Sequence, residues 1–280
     1  MNLILQGLNT DRNAIDSIAA LAGAERIAPI HANAWRCEGV QHFAEIKAKV
    51  DAECLAAQLD GTFIDGARKL SDFKLVAMDM DSTLITIECI DEIADMQGLK
   101  PQVAEITEAA MRGEIEFRES LTRRVALLKG LDASALQRVY DERLKLSPGA
   151  EKMLAAVQAA GLKTLLVSGG FTYFTDRMKT RLSLDYTHSN VLEIEDGKLT
   201  GRVVGGIVDA DEKKNTVERV CAELGISPLQ AIVMGDGAND LKMMGISGLS
   251  VAFRAKPVVR AQADVALNFV GLDGVLTLFA

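Results

Sequence analysis

Two aspartates one residue apart, Asp79 and Asp81, end the apolar run Leu75-Val76-Ala77-Met78. A chain that buries such a run and then sets down two carboxylates has to compensate them, because an unpaired buried charge is costly. Two later apolar runs end in a similar way. "KTLLVSGG" closes on Ser168-Gly169-Gly170, and "AIVMGDGAND" carries Asp236, Asn239 and Asp240. Between them Lys213 and Lys214 fall in the first turn of a helix expected from about Asp211. A cation there opposes the helix dipole unless an anion lies close by.

If Asp79, Asp81, Asp236 and Asp240 converge, each like-charge pair ~4 Å apart costs about 4 kcal/mol at an effective dielectric of about 20. Lysine alone relieves this poorly, whereas a divalent cation relieves it well. Oxygen ligands without His or Cys favour Mg²⁺, which keeps waters and coordinates phosphate. The pattern therefore points to phosphoryl chemistry beside a metal. A calcium loop starting at Asp79 fails, since it needs Gly and Glu where Leu84 and Ile90 stand. Neither a P-loop nor a G-x-G-x-x-G fingerprint occurs. Taken singly, "SGG" is an ordinary turn, "GDGAND" a loop and the lysines a solvated helix face. The ordered set is what is specific.

These residues need a scaffold that brings strand ends together. From Lys74 onward, short apolar strands ("KLVAMD", "KTLLVSGG", "AIVMGDG", "LSVAF", "VALNF") alternate with helical stretches, the pattern of a parallel sheet covered on both faces. All strand ends then share one edge, where open α/β sheets bind ligands. Residues 86–146 hold four helical segments, too long for a βα connection, and read as a helical cap over that edge. "NVLEIEDGKLTGRVVGGIVD" reads as a hairpin turning at Asp196-Gly197. Residues 1–72 form a smaller α+β unit: "MNLILQG" as a strand, "AIDSIAALAG" as a helix, "RIAPIHANAW" extended, and a long helix through "FAEIKAKVDAECLAAQLDG". "GTFIDGARKLSD" reads as the joint to residues 73–280.

"DMDST", "SGG", Lys213 and "GDGAND" together resemble the four motifs of the haloacid dehalogenase-like hydrolases. "ECIDEIA", "SLTRRVALLKGL" and "DGKLTG" narrow the resemblance to the members that act on phosphoserine, over residues 73–280. The resemblance implies a three-layer α/β fold with a helical cap insertion, preceded by an ACT-like regulatory or dimerisation unit in residues 1–72. It implies hydrolysis of O-phospho-L-serine, the last step of serine biosynthesis. Asp79 is the implied nucleophile and Asp81 the acid that protonates the leaving oxygen and then activates water. Asp79 and Asp236 would hold Mg²⁺ by side chains and Asp81 by its carbonyl, with Asp240 supporting from behind. Ser168, Gly169 and Lys213 would bind the phosphoryl oxygens. Glu88 would meet the substrate ammonium and Arg124 its carboxylate, with Met111, Phe117 and Asn239 completing the pocket. Either of the neighbours Arg123 and Arg124 is, on composition alone, equally a surface residue.

Two alternatives are weighed beside this reading. One keeps the chemistry on another small phosphomonoester, or transfers the phosphoryl group to an alcohol. The other makes the chain an amino-acid sensor with a vestigial catalytic domain; the intact Asp79 and Asp81 argue against it. The rest of the composition narrows the class. A net charge of −8 and no Lys/Arg run argue against nucleic acid. No apolar run approaches the ~20 residues of a membrane helix. Cys37, Cys54, Cys89 and Cys221 lie far apart and read as buried thiols of a reducing compartment. His31, His42 and His188 show no ligand spacing. With no signal peptide pattern, a cytoplasmic protein is expected. Dimerisation through residues 1–72 is an open option.

Overall fold

A computed structural model describes residues 1–41 and 44–279, and only the backbone of Met111. His42 and Phe43, and with them the reading of His42 and the expected first residue of the long helix, lie outside the described residues.

The smaller unit runs β1 (Asn2–Gly7), α1 (Arg12–Leu21), β2 (Arg26–His31), β3 (Ala34–Glu38), α2 (Ala44–Ala56) and β4 (Leu59–Ile64). Its strands pair antiparallel in the order β2-β3-β1-β4. Strand alternation sorts the side chains. Leu3, Leu5 and Leu59 pack with Ile15, Ile18, Val50 and Cys54 under the two helices. Ile4 and Ile64 point the other way and join the core of the larger unit.

Two expectations are corrected here. "RIAPIHANAW" is the hairpin β2–β3 rather than one extended stretch. The long helix ends at Ala56, and "LDGTFI", expected as its last residues and the start of the joint, is β4. The signal was weak because Asp60 stands at a buried position of that strand. It is compensated across the unit boundary: its carboxylate accepts backbone N–H groups from Asn268 (2.7 Å), Phe269 (3.0 Å) and Val270 (3.0 Å). Gln6 Nε2 donates to the Gly274 carbonyl nearby. Replacing Asp60 by Ala leaves these donors buried without an acceptor. We expect a loss of about 3 kcal/mol in urea unfolding; an unchanged midpoint would mean that the two units are held together elsewhere.

The larger unit is built on β5 (Leu75–Met78), β6 (Lys163–Phe171), β7 (Tyr186–Glu195), β8 (Lys198–Val204), β9 (Ala231–Gly235), β10 (Leu249–Phe253) and β11 (Val265–Leu267). The sheet order is β11-β10-β9-β5-β6-β7-β8, parallel except for the β7–β8 hairpin. That hairpin turns at Asp196 (φ 50°) and Gly197 (φ 75°), as a type I′ turn requires. Between β5 and β6 stand the cap helices α3 (Cys89–Asp95), α4 (Lys100–Met111), α5 (Phe117–Leu127) and α6 (Ser134–Arg138). The base of this insertion is pinned where Thr86 N donates to Lys145 O and Ser147 N to Leu84 O.

The remaining helices are α7 (Ala150–Ala159), α8 (Thr172–Leu182), α9 (Ala210–Leu224), α10 (Leu241–Met244) and α11 (Pro257–Arg260). Alternation in the central strands explains the layers. Val76, Met78, Leu166 and Met234 face Met153, Phe174 and Met178 of α7 and α8. Leu75, Ala77, Leu165 and Val233 face Val217, Met243 and Val259 of α9 to α11. β5 lies between β6 and β9: the chain runs from β5 to β6 on one side and crosses after β8 to β9 on the other, and a crevice opens at this switch. Among the described residues no helix is long and apolar enough to cross a membrane.

Candidate active site

β5 is buried along its whole length and delivers Asp79 to the carboxyl edge of the sheet. The next turn is tight. Asp79 Oδ1 accepts from the Met80 N–H at 2.7 Å, Asp81 is extended, and Ser82 has φ 56°. Positive φ in a residue other than glycine is strained, and such strain persists where the surroundings hold it. Here it carries the chain from the strand up to Glu88 and the cap, with Ser82 Oγ donating to Glu88 Oε1 at 2.6 Å. Asp81 Oδ1 accepts from Cys89 N at 3.4 Å.

β6 brings Ser168, Gly169 and Gly170 beside this turn. The Gly170 N–H donates to Ser168 Oγ at 2.8 Å. A side chain at Gly170 would begin 2.8 Å from Asp81 Oδ2, so the close approach needs glycine. Above Gly169 lies Phe117 of α5, whose ring atom Cζ is 3.1 Å from where a Cβ would stand. The far side comes from the loop after β9. There Asp240 accepts from the N–H groups of Asp236 (3.1 Å) and Gly237 (3.0 Å), folding the loop on itself.

Lys213 reaches this point from the first turn of α9, which Asp209 caps by accepting from the Glu212 N–H. Its side chain is fully buried, with Nζ 2.9 Å from Asp79 Oδ2 and 2.8 Å from Asp240 Oδ1. Lys214 instead faces outward and pairs with Glu218. Asp79, Asp236 and Asp240 each present a carboxylate oxygen within 4.8 Å of the others, a donor set suited to a hard divalent cation. Asp240 has both oxygens engaged, by Lys213 and by two N–H groups. Asp236 uses one, accepting from Thr83 Oγ1 at 3.0 Å.

A cleft of about 800 Å³ joins these groups to the cap. Asp79, Asp81, Glu88, Phe117, Arg124, Ser168, Gly169, Asp236 and Asn239 all line it. Lys213 lies behind its wall, and the Met111 side chain lies outside the described residues. The wall also includes Asp91, Ser120 and Lys256, which the sequence reading passed over. Lys256 follows β10, another strand opening on the same edge, so the rule of shared strand ends could have found it. Thr83 and Asn190 also escaped that reading. Asn190 donates to Gly169 O at 2.7 Å and accepts from Val208 N at 2.8 Å, tying the β6 loop to the chain before α9. A lone Asn in a strand gives no sequence signal for that.

The electrostatics follow from crowding out of water. Burial pushes the Asp79 carboxyl well above the ordinary range; Lys213 opposes this, while Asp240 and Asp236 add to it. Burial, with Glu88 beside it, raises Asp81 to about 7, and burial with Asp240 raises Asp236 to about 7. Burial alone would lower Lys213, but Asp240 and Asp79 outweigh it and hold the ammonium charged. Burial also lowers Arg124, against Asp91, Glu88 and Asp81.

In the metal-free protein the folded state therefore keeps protons on Asp81 and Asp236 that the unfolded chain sheds above the ordinary value of 3.8. Their contribution to stability is full below that value and is lost as pH rises through about 7. Metal-free protein should melt at falling temperature from about pH 5 to about pH 8, and Asp236→Asn should flatten the fall. A profile equally steep in the variant would remove Asp236 from the account.

Similarity to known proteins agrees with this geometry. A family profile described as haloacid dehalogenase-like hydrolase matches residues 73–248. A domain of unknown function, DUF4072, matches residues 3–46. A phosphoserine phosphatase of Polaromonas sp. is 62% identical over 215 residues, covering 75% of this chain and 91% of that protein. The unliganded structure of a probable phosphoserine phosphatase from Vibrio cholerae aligns at TM-score 0.84 and 36% identity, over 99% of this chain and 86% of that one. A phosphoserine phosphatase structure described as a phospho-aspartyl intermediate analogue aligns at TM-score 0.70 and 36% identity, over 76% of this chain and 100% of that one.

Proposed function

The chain belongs to the haloacid dehalogenase-like hydrolases, among the phosphoserine phosphatases, and on that premise we propose how its own residues divide the work. The enzyme hydrolyses O-phospho-L-serine to L-serine and phosphate through an aspartyl phosphate. The observation that carries the assignment of residues is the single cleft joining Asp79, Asp81, Ser168 and Asp236 to Glu88 and Arg124 of the cap.

Asp79 Oδ attacks phosphorus as the bond to the seryl oxygen breaks. Asp81 gives its proton to that oxygen, so L-serine leaves as the neutral alcohol. A carboxyl titrating near 7 is suited to give up a proton and take one back at neutral pH. Asp81, now ionised, takes a proton from water, whose oxygen attacks the phosphorus of the aspartyl phosphate and frees Asp79. Ser168 Oγ and the Gly169 N–H hold phosphoryl oxygens as charge shifts among them. Lys213 fixes Asp79 in its attacking position and supplies positive charge from behind. Mg²⁺ would be held by the side chains of Asp79 and Asp236 and the carbonyl of Asp81, with Asp240 behind them. When bound, it neutralises carboxylate and phosphate charge.

The cap supplies recognition. Glu88 receives the ammonium, and Arg124 the carboxylate through its planar fork. Phe117 and Asn239 complete the pocket. The residue ranges 1–72 and 73–280, with the cap at 86–146, are the division we adopt. The smaller unit is read as ACT-like, and its βαββαβ order supports this. Its sheet is docked on the larger unit through Gln6 and Asp60, so a homodimer formed through it would use its helices or the β2 edge. The four cysteines, all buried and free, support a cytoplasmic setting.

Phosphate release from O-phospho-L-serine, measured with Mg²⁺ and with EDTA, tests the assignment. Phosphothreonine and sugar phosphates serve as competitors for the substrate reading. Activity that survives EDTA removes the metal; equal turnover of a sugar phosphate removes the role given to the cap. Arg124→Ala should raise KM for phosphoserine roughly 10–100-fold and leave kcat within a few-fold, as loss of a charge-assisted contact made equally in ground and transition states requires.

A further inference from the structure

Helix α5 presents Phe117, Ser120, Leu121 and Arg124 to the cleft, at the spacing of one helix face. Ser120 is the odd member of this set. It is 1% exposed, and among the described residues its Oγ has no hydrogen-bond partner. A buried helical serine usually bonds back to the carbonyl four residues earlier, or to a neighbouring side chain. This hydroxyl does neither. Its own carbonyl accepts from Arg124 Nε at 3.4 Å, so the guanidinium folds back along the same helix face. An unsatisfied hydroxyl in a close-packed helix is a cost to the folded chain. In a cleft wall next to the Arg124 guanidinium, it is also an unused donor.

We propose that Ser120 is a specificity-determining residue whose Oγ–H donates to the carboxylate of the bound amino-acid moiety, alongside the Arg124 fork. The inference rests on the reading of Arg124 as the carboxylate's cation. The carboxylate is drawn to the face of α5 by the guanidinium, and rotation about the Cβ–Oγ bond turns the hydroxyl proton to it. The nearby acids Glu88 and Asp91 suit the ammonium instead, so the two charged ends of the substrate are sorted to opposite partners. The hydroxyl left unpaired in the free enzyme becomes paired in the complex.

The signature is an opposition between stability and binding. Ser120→Ala removes the orphan, so the free protein should melt no lower than the parent. KM for phosphoserine should rise about tenfold with kcat within about twofold, the loss expected of a hydrogen bond to a charged group. For O-phosphoethanolamine, which lacks the carboxylate, kcat/KM should be the same in parent and variant. An unchanged KM for phosphoserine, or an equal loss on both substrates, overturns the proposal; a lowered melting temperature with both losses marks Ser120 as structural and overturns it too. A parent enzyme that does not prefer phosphoserine over phosphoethanolamine overturns the reading of Arg124 itself. A parent that does, beside an indifferent Ser120→Ala, overturns only the role of Ser120.

Discussion

Asp79→Asn is expected to lower phosphoserine turnover by on the order of 10⁴-fold or more, because the amide cannot attack phosphorus and no other carboxylate can replace it. Asp81 is the nearest in sequence, but the proposed division of roles gives it proton transfer. Asp236 is held by Thr83, and Asp240 by Lys213 and two N–H groups. The variant should nevertheless fold. Lys213 keeps Asp240 as a partner, and a carboxyl that burial disfavours is gone. Metal-free Asp79→Asn should therefore melt within about 1 kcal/mol of the parent. Folded and inactive is the expected pair of results, read by phosphate release and by thermal melting. Turnover within about tenfold of the parent would rule out Asp79 as nucleophile.

How far the site could be read in advance depended on whether a residue's role was written into local pattern. Asp79, Ser168 and Asp236 stand where apolar runs stop, and the parallel sheet alone requires such ends to meet. The helical cap was visible because its residues repeat at helical spacing over a stretch too long for a loop. What stayed hidden acts through contacts made only after folding. Asp60 looks like a break in a strand until its carboxylate meets the N–H groups of residues 268–270. Asn190 is one polar residue in a strand until it bridges Gly169 and Val208. Ser120 is a commonplace helical serine until its hydroxyl is found without a partner among the described residues. Lys213 and Lys214 lie within the same turn, so helical spacing does not separate them. Burial separates them: one is sealed between two carboxylates, and the other pairs at the surface.

That seal makes Lys213 the second position with a large expected effect. Lys213→Met keeps the length of the side chain and removes the charge between Asp79 and Asp240. Breaking a buried ion pair from one side strands the other charge, at a cost of about 3–5 kcal/mol. Asp79, which burial already raises, should then take up a proton at neutral pH. The nucleophile is then lost, and Asp240, without its cation, holds the loop of Asp236 less firmly. Turnover should fall by about 10³-fold or more, the scale of losing a charge aimed at the reacting group. Because Asp79, already raised by burial, would lose the cation that opposes the rise, the variant's stability should recover as pH is lowered, the sign expected when the native state binds more protons. The double variant Lys213→Met, Asp240→Asn separates the two effects. Removing both charges of that pair should restore most of the lost stability and none of the lost activity, a coupling that single substitutions cannot show. Restored activity in the double variant would mean that Lys213 serves only to neutralise Asp240, and its place in the reaction would fall.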